Sequence, residues 1–132
     1  MGYIFYVAVK LIGYVSWCWL GLRLWRPGFA TLPTAVFFGL VRLAIGIGFG
    51  VVVFFVFSTG PQNLFWKYIA IYSPIRLVEW LILALIIGQK TGHRSRTKAI
   101  LWCLGGILVS FLADIASPEG IRGHICVGRC LC

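Results

Sequence analysis

The chain has 132 residues, 61% of them hydrophobic and only 11% charged, with a formal net charge of +9. A soluble domain carries about 25% charged and about 45–50% apolar residues, and so short a chain has too little interior to hide this much apolar surface. Composition therefore argues against a water-soluble globule, and the mean hydropathy of +0.97 points to lipid as the solvent.

The positive charge does not point to nucleic acid. Nucleic-acid binders gather Lys and Arg on a solvated face, whereas here many basic residues sit in short connections between apolar runs. Membrane topology alone predicts that distribution.

A run of about 20 apolar residues spans a hydrocarbon core. Backbone groups in lipid must pair within their own segment, so such runs are helices. The first is residues 3–22, "YIFYVAVKLIGYVSWCWLGL", with Lys10 inside it. It reads as a span and not as a signal peptide, because it lacks a basic leader and a small-residue cleavage site. "RPGFATLP" follows, and the second run occupies 34–57, with Arg42 in its first half and a GxxxG pair, Gly46 and Gly50. Small residues at that spacing let helix backbones approach, which is what drives association in lipid.

After "STGPQN" comes the third run, 65–88, which holds Pro74, Arg76 and Glu79. Proline has no N–H to give to the carbonyl four residues back, so a kink is expected there. A third helix starting only at Ser73 would be about 15 residues, short for a span. "QKTGHRSRTK" leads to the fourth run, 98–116, where Gly106 and Ser110 repeat the small-xxx-small spacing and Asp114 lies near the end. Most of the tryptophans lie near run ends, as an interfacial aromatic belt would. Cys18 and Cys103 read as small apolar packers.

The predicted architecture is an all-α, four-helix membrane bundle over residues 1–116 with a short tail, 117–132. The first and third loops share one side and carry Arg23, Arg26, Lys90, Arg94, Arg96 and Lys98, against Lys67, Arg122 and Arg129 on the other. The positive-inside rule puts loops 23–32 and 89–98 in the cytoplasm and both termini outside, in a plasma (inner) membrane.

Charge inside a span is costly and usually paired. Counted at about 1.5 Å per residue, Arg42 and Glu79 both lie about 13 Å from the cytoplasmic boundary, so an ion pair between the second and third helices is expected. Arg76 lies three residues before Glu79, on nearly the same face, and is expected to share Glu79 or to bond the carbonyl that Pro74 leaves open. Arg42, Arg76 and Glu79 then form one charge cluster that pins helices together. Its excess of positive charge suits an anion or a lipid headgroup better than a proton relay, which wants acids and histidines. Asp114 is expected at the solvated interface, with Lys10 or Lys67 as a pairing partner.

The tail reads "HICVGRCLC", with Cys126, Cys130 and Cys132 after His124. Outside the cell Cys126 would bridge Cys130 or Cys132 and leave one odd thiol for a partner chain, and on the cytoplasmic side these cysteines would be candidates for acylation. A Cys3His zinc set is the weaker reading, because H-x-C-x3-C-x-C lacks the usual C-x2-4-C pair. No P-loop, HExxH, GxGxxG or Ser-His-Asp pattern is present, so no catalytic residue, metal or cofactor is assigned.

The expected role is an accessory, structural subunit of a larger membrane complex, with lipid and other membrane subunits as partners and no nucleic acid. The alternatives are a small transporter or channel for an anion or small solute, working as a homo-oligomer, and a membrane thiol-redox protein that uses the tail.

Overall fold

A computed structural model describes residues 2–57, 65–91, 95–115 and 117. Among these residues are four α-helices and no strand: α1 Gly2–Trp25, α2 Leu32–Phe57, α3 Phe65–Thr91 and α4 Arg96–Ile115, with a 3-10 turn at Pro27–Phe29. All four helices are long and apolar enough to cross a membrane.

The bounds differ from the sequence expectation at most ends, for local reasons. Nothing in Arg23-Leu24-Trp25 opposes a helix, so α1 runs on to Trp25. Pro27 stops it, because a proline disfavours helical backbone in the residue before it. Arg26 is accordingly extended, with φ −153° and ψ 90°, although its N–H still reaches Leu22 O at 2.7 Å. α2 starts at Leu32 with Pro33 in its first turn, where a missing N–H costs nothing. Thr31 and Thr34 share a 2.7 Å hydroxyl hydrogen bond at that end. α3 continues through Pro74 to Thr91 as one helix, which overturns a late start at Ser73. Proline removes one backbone bond, and an apolar segment without water has nowhere else to place the rest. α4 starts at Arg96 rather than 98, and Ser117 N–H closes its far end on Asp114 O at 3.0 Å.

The helices pack in a ring in chain order, α4 closing on α1, with the α2–α3 seam the loosest. Neighbours run antiparallel. Along α1 and α4, Trp17 meets Trp102 while Tyr6 meets Asp114. Along α2 and α3, Arg42 meets Glu79 while Val53 packs with Tyr68 and Tyr72.

Each helix turns one face inward, and those faces are richer in polar, aromatic and small residues than the outer ones. On α1 the buried row is Tyr6, Lys10, Tyr14, Cys18 and Leu22, every fourth residue. That spacing keeps side chains on one helical face. The outward faces carry large apolar groups such as Phe55, Leu85, Leu101 and Leu108. That pattern suits a membrane, where lipid tails are as apolar as leucine and packing and polar contacts, not burial of oily surface, select what turns inward.

Tight packing needs particular glycines. A Cβ on Gly105 would sit 2.2 Å from the Trp17 ring, and one on Gly21 would sit 2.3 Å from Trp102 Nε1. Trp17 Nε1 donates to Trp102 O at 3.0 Å, and Trp102 Nε1 donates to Trp17 O at 3.2 Å. The α1–α4 seam is therefore a reciprocal tryptophan lock. Trp102 is buried in the core rather than part of a lipid-facing belt.

Candidate functional site

Lys10, Arg42, Arg76, Glu79 and Asp114 are paired inside the bundle, in two layers. Arg42, in the first half of α2, lies beside Glu79 of α3 with Nη2 2.6 Å from Oε2. Its guanidinium is sandwiched by Tyr14 and Trp80, each ring centroid 4.9 Å away. The same Nη2 makes a long 3.4 Å hydrogen bond to Ser110 Oγ, which also accepts from Trp80 Nε1 at 3.1 Å. Ser110 thus anchors polar groups from α2 and α3, where the sequence suggested only a small packing residue.

Arg76 does not join this layer. Its Nη2 pairs with Asp114 and donates to Tyr68 Oη at 3.1 Å, while Phe111 lies 4.4 Å below its charge. The expected three-member cluster of Arg42, Arg76 and Glu79 is therefore divided. Pro74 is not needed as a partner for Arg76, because Asp114 supplies a full charge.

Asp114 is itself corrected, from a solvated end residue to the hub of the second layer. Its side chain is only 11% exposed, with Lys10 Nζ 3.0 Å away. Tyr6 Oη donates to it at 2.7 Å, and Tyr68 Oη donates as well. One carboxylate so engages two helices besides its own: α1 through Tyr6 and Lys10, and α3 through Tyr68 and Arg76 on either side of Tyr72.

The paired small residues also serve different ends than expected. Gly46 makes room for a side chain, since a Cβ there would meet Arg42 Nη1 at 3.1 Å. Gly106 receives the Trp80 indole, whose Cδ2 would lie 2.5 Å from an added Cβ. Gly46 and Gly50 line a cleft of about 30 Å³ shared by α1, α2 and α3, whose polar walls include Lys10, Tyr14, Arg42, Arg76 and Glu79. By that measure the cleft holds one or two water-sized groups.

Cys18 and Cys103 are buried thiols. Among the described residues no group of His, Cys, Asp and Glu could hold a metal. His124, Cys126, Cys130 and Cys132 lie outside the described residues. Lys10 was expected to pair with Asp114 and does, at 3.0 Å, whereas Tyr6 and Tyr14 on the same α1 row were the signal that sequence reasoning missed. Polar groups at every fourth position of an apolar run mark the inward face, and that face leads to Asp114.

No family model, no characterised protein and no solved structure matches this chain.

Proposed function

We propose that this chain is a small multi-pass membrane protein that serves as an accessory subunit of a larger membrane complex and performs no catalysis of its own. In this reading it sits in a plasma (inner) membrane, with loops 23–32 and 89–98 in the cytoplasm and both termini outside. The observation that carries it lies on the outer face of α2. Ala44 and Gly48, one turn apart, are exposed, and nothing stands within 4 Å of where a Gly48 Cβ would be. Leu40, Ile47, Val51, Val52 and Phe55 flank them and are exposed too. A shallow notch of small residues among large apolar ones fits a helix of another membrane protein, because packing drives helix association in lipid. The buried charges have partners inside the chain, so the contact offered outward is one of shape.

The test is extraction in mild detergent at native expression, then native electrophoresis and mass spectrometry. Larger membrane proteins should travel with the chain in fixed ratio. Gly48→Leu should abolish the association without lowering the isolated chain's melting, since nothing stands within 4 Å of the added Cβ and leucine has the higher helix propensity. A lone homo-oligomer that passes solute in liposomes would sink the accessory role.

A further inference from the structure

From the cleft between α1, α2 and α3 we infer a binding site for one small monovalent anion of halide size, held by Arg42 and Arg76. The inference is independent of the accessory role.

The first ground is unused hydrogen-bonding capacity. A guanidinium has five N–H donors and no acceptor. Arg42 spends Nη2 on Glu79 and Ser110. Its Nε and Nη1 are buried with no hydrogen-bond partner, as is Arg76 Nη1. The two residues are 1% and 3% exposed. A buried donor left unmade carries its full desolvation cost. Among the described residues every buried side-chain atom left in this state is a nitrogen donor. Water could donate to the Glu79 carboxylate in the same cleft, but it brings no charge. An anion only accepts.

The second ground is charge. Lys10, Arg42, Arg76 and Glu79 line the cleft, and Asp114 adjoins it through Lys10 and Arg76. Three cations face two carboxylates, which leaves one positive charge over. Excess charge among apolar helices is expensive unless something neutralises it, and a single monovalent anion does so.

The third ground is room. The cleft offers about 30 Å³, enough for one or two water-sized occupants. A halide is of that size. A phosphate, with several heavy atoms around its centre, is not. Gly46 and Arg42 both line the cleft, and a Cβ added to Gly46 would stand 3.1 Å from Arg42 Nη1, in space that the glycine leaves empty beside that nitrogen.

The experiment uses the full chain in nanodiscs of zwitterionic phosphatidylcholine, with chloride as the probe and the 35Cl NMR linewidth as the readout. Wild type should broaden the line saturably. Bromide should reverse the broadening, and gluconate, too large for the cleft, should not. The chain should also melt at a higher temperature in chloride than in gluconate of equal ionic strength. Gly46→Ala places a methyl 3.1 Å from Arg42 Nη1, and Arg42→Lys keeps the charge beside Glu79 but removes the unused donors. Each should weaken chloride binding about tenfold or more, the scale of one lost hydrogen bond to a charge. Three results would overturn the site: no saturable broadening and no chloride-dependent melting in wild type, unchanged binding in a Gly46→Ala chain that melts normally, or displacement of chloride by short-chain phosphatidylglycerol, which would make a lipid headgroup the occupant.

Discussion

Two carboxylates hold the bundle's charges, and they are not equivalent. Glu79 answers one cation, Arg42. Asp114 answers Lys10 and Arg76 and accepts from two tyrosines. Removing one partner of a buried pair leaves the other charge uncompensated, at a cost of about 3–5 kcal/mol. Asp114→Asn strands two cations, so its loss should exceed that of Glu79→Gln, which strands one. Melting of both variants in one detergent checks the order, and equal losses would contradict the two-layer assignment. Replacing a whole buried pair by apolar residues of similar volume is often neutral. Arg42→Met combined with Glu79→Leu should therefore recover most of the stability that Glu79→Gln loses, and a double-mutant cycle measures the coupling.

At the scale of helices, the sequence disclosed existence better than contact. Four runs, their breakers and the near-level depth of Arg42 and Glu79 followed from length, hydropathy and rise per residue. What did not follow is the reach of long side chains. Arg76 lies eight residues beyond Tyr68, about 12 Å along the axis, yet its guanidinium meets the tyrosine hydroxyl at 3.1 Å. Counting Cα positions therefore set Arg76 against Glu79 instead of Asp114, and it found the Lys10–Asp114 pair while placing Asp114 at the solvated end. Glycines were legible as small but not as to what they face. Gly105 and Gly106 meet indole rings, whereas Gly48 meets nothing. Gly105→Ala and Gly106→Ala should each destabilise by about 1–3 kcal/mol, the scale of overpacking, with Gly48→Ala neutral or mildly stabilising as helix propensity allows. Denaturation of the three variants side by side would settle it, and a costly Gly48→Ala would mean that this face of α2 is covered within the chain's own fold.

At the scale of the whole molecule, the distribution of basic residues predicts an orientation. Arg23 and Arg26 follow or end α1, and Arg96 and Lys98 begin α4. The Trp25–Trp102 ring contact at 5.2 Å brings these ends together, and all four basic side chains are exposed there. Basic residues are retained on the cytoplasmic side of short loops, so this end should face the cytoplasm and the tail should face out. The native cysteines make the test simple. Cys18 and Cys103 are buried and should stay silent to an impermeant maleimide in intact cells, so labelling reports on Cys126, Cys130 and Cys132 once any disulfide is reduced. With those three changed to Ser, a Gly28→Cys reporter can be placed where a Cβ meets nothing within 4 Å. The tail thiols should label in intact cells, and the residue 28 thiol only after permeabilisation. The reverse pattern would invert the bundle. Labelling of residue 28 in half the molecules would show both orientations present, as weak charge bias permits. Moving basic residues from the first loop to the second should then shift the ratio, because the bias of Lys and Arg between short loops sets the orientation.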